Sequence, residues 1–282
     1  MLITRFAPSP TGPLHLGHAY SALLAADLAG SAGGEFLLRI EDLDRERSKP
    51  KWEEAILEDL RWLGIHHPRP VWRQSDRLPA YDAALDRLAD LDLLYPCSCN
   101  RAEIRAALSA PQEGDPPHGP DGVIYPGTCR RRSMRDRQPG DAIRLDMKKA
   151  SEAIARELSF RDEGDRCFGD HLVDPAQLVS TAGDIILARR QTGAIAYHLA
   201  VVVDDAAQGV TLVTRGRDLF DATPLHVVLQ HLLALPTPRY HHHRLIRDAT
   251  GKRLAKRHDA EAIHVYRERG ASPYEIREMV GL

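Results

Sequence analysis

A chain of 282 residues with 43% hydrophobic side chains can bury one large core or two smaller ones, which excludes the disordered classes. Its 38 basic and 40 acidic residues nearly cancel, so a nucleic-acid partner has to be met by a local patch and not by a uniformly basic coat. No basic and apolar leader precedes "RFAPSP", no apolar run approaches bilayer length and four cysteines are too few for a disulfide framework, so a cytoplasmic protein without a membrane partner is expected.

Leu2 to Phe6 is a short apolar run that reads as a strand. The Pro/Gly segment "APSPTGPLHLG" leads from it into Ala and Leu at helical spacing from Gly17 to Leu28, where "GSAGG" stops the helix. "EFLLRI" reads as a second, buried strand. After the acidic "EDLDRERS", an amphipathic helix from about Lys51 to Leu63 carries Trp52, Ile56, Leu60 and Leu63 on one side. Another helix is expected from Leu78 to Leu94, with Ser75 capping its start. The character changes at "YPCSCN". From Cys97 to Gly140 the chain is rich in Pro, Gly and Arg, and "SAPQEGDPPHGPDG" reads as an irregular loop. "GDIILARR", "AIAYHLAVVVDD" and "GVTLVTRG" restore buried, β-rich or mixed elements. Ala222 to Leu235 reads as an apolar helix and "SPYEIREMVGL" as a short capping helix. This alternation predicts an α/β fold, a doubly wound, Rossmann-like parallel sheet with two halves, 1–96 and 187–282, separated by an inserted module at 97–186.

A strand that passes through a Gly/Pro turn into a helix presents backbone N–H groups and the positive end of the helix dipole, which suits a phosphate. His15 and His18 stand three apart at that turn, with Gly17 between them leaving room for close approach. Far along the chain, "DATGKRLAKRHDA" places Lys252, Arg253, Lys256 and Arg257 after a turn, a cationic loop able to close over a polyphosphate. Each feature taken alone has an ordinary reading, a solvated histidine pair and a solvated charge run. Cys97, Cys99 and Cys129 offer three thiolates to order the Pro-rich module around Zn2+. A closed site wants a fourth ligand, and Tyr125 and His118 are the candidates; chemistry alone favours His118, imidazole being the commoner ligand. Cys167 has no evident role, and "CRRRSMRDR" at 129–137 is a candidate phosphate-contacting patch.

Together "HLGH" and "RLAKR" resemble the two signature motifs of class I aminoacyl-tRNA synthetases, and "RFAPSPTGPLHLGHA", "LLRIEDLDRERS", "WLGI", "QSDR" and "TRGRDL" are similar to the glutamyl branch. The resemblance implies a ligase-like enzyme that uses ATP with Mg2+ to activate L-glutamate. His15, Gly17, His18 and Lys256 would then form the ATP site, with His15, His18 and Lys256 catalytic. Arg5, Ser9, Glu41, Tyr197 and Arg215 match the family's glutamate-binding positions, Arg5 and Arg215 meeting carboxylates and Glu41 the ammonium group. Taken one at a time, the two arginines read equally well as surface ion pairs, Glu41 as an acidic cap and Tyr197 as core. Ala255 departs from the usual Ser of the second motif, which implies weakened ATP handling. The Cys-x-Cys with a later Tyr-x-x-x-Cys resembles the zinc site of one short branch and implies Tyr125 as the fourth ligand. Only 26 residues follow Lys256, which implies no anticodon-binding domain. That short branch activates glutamate without tRNA and transfers it to the queuosine base at the wobble position of tRNA(Asp). An active site that presents a ribose diol to an acyl phosphate could receive another vicinal diol in the same way. A minimal glutamyl-tRNA ligase acting on the tRNA 3′ end and a non-catalytic glutamate- or tRNA-binding paralogue are the other readings, and a monomer is expected.

Overall fold

The computed structural model describes residues 1–108, 118–120, 122–247 and 261–282. The chain begins with β1 (Ile3–Phe6), α1 (Leu16–Ser31), β2 (Glu35–Ile40), α2 (Pro50–Trp62), β3 (Trp72–Arg73) and α3 (Leu78–Asp90). β1, β2 and β3 run parallel, with Arg5 opposite Leu37 and Arg39 opposite Trp72. Successive strand residues point to opposite faces, and helices cover both. Phe36, Leu38 and Ile40 pack in the same core as α1 and α2, whereas Leu37 joins Tyr81 and Leu85 of α3 in another.

The middle of the chain supplies β4 (Leu94–Cys97), α4 (Arg101–Leu108), the two-residue strands β5 (His118–Gly119) and β6 (Gly122–Val123), β7 (Ala142–Leu145), α5 (Met147–Glu152), β8 (Leu158–Asp162), β9 (Gly169–Val173), α6 (Pro175–Thr181) and β10 (Ile186–Ala188). β7 lies between β4 and β10 in a small antiparallel sheet. The last stretch contains α7 (Tyr197–Gln208), β11 (Leu212–Gly216), α8 (Thr223–Leu232), β12 (Arg239–His243), α9 (Ile263–Glu268) and α10 (Pro273–Val280). β11 and β12 are parallel, and β12 takes β8 as its other parallel neighbour. The two halves of the fold join at β1 and β11, where the Thr211 N–H donates to the Ile3 carbonyl at 3.0 Å. Strands β8 and β9, although they fall within 97–186, therefore extend the sheet of the second half, with β9 as an antiparallel edge.

Three local expectations differ from the structure. α3 ends at Asp90, since Asp92 takes a positive φ of 56° and turns the chain so that Leu94 can pair in β4. Ser75 does not cap α3; its N–H and Oγ both go to the Asp42 carboxylate, at 2.9 and 2.6 Å. α7 is wholly helical, with Val201, Val202, Asp204 and Asp205 of "VVVDD" buried as the helix packs against its neighbours α3 and α8. α4 was not foreseen, although its capping box is legible: the Asn100 side chain accepts from the Ala102 and Glu103 N–H groups and Glu103 accepts from the Asn100 N–H. Most of the irregular loop at 109–122 lies outside the described residues. No helix among the described residues is long and apolar enough to cross a membrane.

Candidate active site and metal centre

The carboxyl ends of β1, β2, β11 and β12 and the start of α1 enclose a cleft of about 390 Å³. Open parallel sheets carry their ligands at this edge, because the chain diverges there into loops that part to either side. Arg5, His15, Gly17, His18, Glu41, Tyr197 and Arg215 all line it, so the structure brings together residues separated by some 200 positions in the chain. Ser9 is exposed on the loop after β1 and does not line the cleft. Lys256 and Ala255 lie outside the described residues.

His15 is the N-cap of α1. Its Nδ1 accepts from the Gly17 N–H at 3.1 Å, and His18 Nδ1 accepts from the His15 N–H at 3.2 Å. The His18 N–H goes to the His15 carbonyl at 2.8 Å. These backbone donors are thus spent within the turn and not held open for an anion. With Nδ1 accepting in both rings, each neutral imidazole carries its proton on Nε2 and is a donor there. The rings lie 3.8 Å apart between centroids. A Cβ at residue 17 would stand 3.0 Å from the His15 ring, so Gly17 is what lets that ring fold back over the helix start. The C-terminal segment braces the turn, with the Ile263 N–H donating to the Leu14 carbonyl at 2.9 Å.

The deeper wall is ionic. Arg5 is buried, with Nε and Nη2 on the two oxygens of Asp205 at 3.0 and 3.2 Å and Nη1 on the Thr214 carbonyl at 2.9 Å. Arg39, fully buried, donates to Asp205 at 2.7 Å, Gln208 at 2.9 Å and Glu41 at 3.2 Å. Burial raises the pKa of the Glu41 carboxyl, against the pull of Arg39 and Arg5. Burial likewise raises that of the Tyr197 hydroxyl. Arg215, on β11, donates through Nε to His242 at 3.0 Å, through Nη1 to His226 at 2.9 Å and through Nη2 to Thr223 at 2.7 Å. Among the described residues Arg5, Arg215 and Arg244 line the cleft with the carboxylates of Glu41 and Asp218, and such a mixed, mainly cationic lining suits a small zwitterion bearing an extra carboxylate. Asp205, Arg39, His226 and His242 were not singled out from the sequence. "VVVDD" in an apolar helix and "RYHHH" in a strand were the available signals, since charged or ionisable groups at core-facing positions require partners.

The cysteine module forms a second centre. The sulfurs of Cys97, Cys99 and Cys129 lie within 4.8 Å of one another. The Tyr125 hydroxyl stands 3.4 Å from Cys97 and 3.4 Å from Cys99, and accepts from the Cys129 N–H at 2.9 Å. His118, on β5, does not join the group. Cys97 and Cys129 are buried, and the Arg144 guanidinium covers the Tyr125 ring at 3.8 Å. Burial pushes the Cys99 thiol up to about 11; at Cys129 burial acts the same way, but hydrogen bonds from Tyr125 and Ser98 bring the thiol down to about 6. Three converging sulfurs with a phenolic oxygen are a donor set that fits a closed zinc site.

All 282 residues match the family described as tRNA synthetases class I (E and Q), catalytic domain, and the fold and cleft are those of a class I synthetase catalytic unit. A glutamate tRNA ligase from Elizabethkingia meningosepticum, solved in complex with its amino acid, superposes with a TM-score of 0.76 at 28% identity. That match covers 100% of this chain but 60% of the ligase. Glutamyl-Q tRNA(Asp) synthetase of Rhodobacter capsulatus is 58% identical over 282 residues, 100% of both chains. The protein of that name from Symbiobacterium thermophilum is 44% identical over 98% of this chain and 84% of its own length. The chain belongs to the glutamyl-Q tRNA(Asp) synthetase family.

Proposed function

We infer that the protein activates L-glutamate with ATP, without help from tRNA, and transfers the glutamyl group to the queuosine base at the wobble position of tRNA(Asp). The observation that carries this reading is the single cleft in which the two histidines of the helix start meet Arg5, Glu41, Tyr197 and Arg215. In the proposed reaction the glutamate α-carboxylate attacks the α-phosphorus of ATP, the new P–O bond forms as the bond to pyrophosphate breaks, and glutamyl adenylate remains bound. The Nε2–H donors of His15 and His18 stabilise charge on the phosphoryl oxygens as it develops. Arg215 and Arg5 orient the carboxylates and Glu41 the ammonium group, which fixes the attacking oxygen. Lys256, beyond the described residues, is assigned to the departing triphosphate, and Mg2+, when bound, supplies charge neutralisation there. A hydroxyl of the queuosine cyclopentenediol then attacks the acyl carbonyl, loses its proton and displaces AMP.

A wider cleft supports an RNA acceptor. It shares Tyr197 with the glutamate cleft and, among the described residues, is lined by Arg47, Arg101, Arg144, Arg189 and Arg190 against the single acid Asp44. A cavity on another side of Tyr197 is lined by Asp174, Asp218 and Asp221, a setting that repels phosphate. Cys97, Cys99, Tyr125 and Cys129 would hold Zn2+ as a structural cross-link beneath the arginine-lined wall. The substrates are those of the cytoplasm, and the reaction is proposed to run there.

Labelled glutamate and ATP supplied with tRNA(Asp), with and without queuosine, test the reading. Label that requires queuosine and survives periodate destruction of the 3′ end, with the queuosine diol protected, is expected. Label at the 3′ end of tRNA(Glu) would overturn it in favour of a minimal ligase, and glutamate binding without transfer in favour of a paralogue. His15→Ala should reduce ATP–pyrophosphate exchange by about two orders of magnitude, and unchanged exchange would remove His15 from the phosphate site.

A further inference from the structure

Arg215 and His242 are paired neighbours on parallel strands β11 and β12, and Asp162 ends β8 on the far side of β12. The three side chains form a buried relay. Arg215 Nε donates to His242 Nε2 at 3.0 Å, and His242 Nδ1 faces the Asp162 carboxylate, both side chains being 0% exposed. Arginine has donors only. The nitrogen facing it must therefore be a lone pair, which puts the His242 proton on Nδ1, toward Asp162. The same logic runs along the other branch, where His226 Nδ1 accepts from Arg215 and its Nε2 meets His198 Nδ1 at 2.8 Å. The Asp162 Oδ1 is separately committed to the backbone N–H groups of Gly164 at 2.8 Å and His242 at 3.3 Å.

We propose that Asp162 and His242 are positioning residues for glutamate recognition: the Asp162 carboxylate holds His242 in the Nδ1–H tautomer, and His242 in turn aims the Arg215 guanidinium into the cleft. The proposal rests on the reading of Arg215 as an anchor for a glutamate carboxylate. Three of the five guanidinium N–H groups are spent on His242, His226 and Thr223, which leaves two for a ligand and explains why so polar a residue sits in so dry a wall. Burial, with Arg215 acting the same way and Asp162 opposing, lowers the pKa of His242 and so favours the neutral ring that the relay requires.

The test uses ATP–pyrophosphate exchange with the full chain. In D162N the amide oxygen can keep the two backbone donors, so the NH2 group faces His242 Nδ1 and drives its proton to Nε2, against Arg215. The KM for glutamate should rise roughly tenfold, with the KM for ATP within about twofold and the His242 ring showing the exchanged tautomer by nitrogen-detected NMR. In H242Q the side-chain oxygen can accept from Arg215 whatever residue 162 carries, so adding D162N to H242Q should change the glutamate KM by less than about twofold. A D162N protein with the exchanged tautomer and an unchanged glutamate KM would overturn the proposal, as would equal losses for both substrates accompanied by a lowered Tm. R215Q separates the two readings. If it leaves the glutamate KM unchanged the anchor assignment falls and the proposal with it, whereas a raised KM in R215Q beside an unchanged one in D162N removes the positioning role alone.

Discussion

Asp59, on α2, shows what burial does to a carboxyl group that is only half answered. It is 1% exposed, its Oδ2 has no hydrogen-bond partner among the described residues, and its Oδ1 lies 3.8 Å from Arg267. Burial, partly countered by Arg267, pushes its pKa up to about 6. The folded state then holds this proton more tightly than the unfolded chain, whose carboxyl titrates near 3.9, so between about pH 4 and 6 this group makes stability fall as pH rises. Asp59→Asn should accordingly raise Tm at pH 7.5 and leave it nearly unchanged at pH 4, which a pair of thermal melts would check. An equal gain at both pH values would mean that packing and not ionisation was responsible. At Arg5 the balance is better met: each guanidinium nitrogen has an acceptor, on Asp205 or Thr214, and two of its five N–H groups remain for a ligand. Sequence reading put Arg5 in the pocket by motif, but the carboxylate that holds it, Asp205, is 200 positions away, and no local pattern pairs them.

Between elements, the joint that matters most for the cleft is β2 against α7. Arg39 reaches from the strand to Asp205 and Gln208 on the helix, while Asp204 beside it takes Arg77 at 2.8 Å, Tyr81 at 2.7 Å and Gln74 at 3.1 Å. Removing one partner of such a network leaves buried charge uncompensated. Arg39→Met is expected to cost about 3–5 kcal/mol of stability, measurable by urea denaturation, and a loss below about 1 kcal/mol would show that the acids are satisfied without it. Strands and helices with a clear apolar period, β2 and α2 among them, were legible at nearly their observed bounds, since the period itself is what packs. α3 was read too long because Leu91, Leu93 and Leu94 continue its apolar character, and only the pairing of β4 with β7 decides where the helix stops.

For the molecule as a whole, a parallel core joined at β1 and β11 carries the cleft lined by Arg5 and Arg215, and a small antiparallel sheet around β7 carries the cysteine centre. The two meet along the arginine-lined cleft, which touches Cys99 at one end and Tyr197 at the other. Loss of the proposed zinc cross-link should therefore affect transfer to tRNA more than activation of glutamate. Cys99→Ser is expected to lose stoichiometric zinc by elemental analysis and to lower glutamyl transfer, while ATP–pyrophosphate exchange changes by less than about threefold. Equal loss of both activities would mean that the centre supports the whole fold.

From its order of residues alone, this protein declared the alternation of strands and helices, the histidine turn at the start of α1 and the Cys-x-Cys with its later Tyr and Cys. All of these are local periods or short spacings, set by covalent reach and by the pitch of a helix or strand. Tertiary structure alone decided that β8 completes the sheet of the second half, that Arg5 and Arg39 share Asp205, and that Asp162 reaches Arg215 through His242. Those are contacts between residues far apart in the chain. They are selected by which faces can be buried together and which buried charges can be answered, quantities that exist only once the sheet has closed.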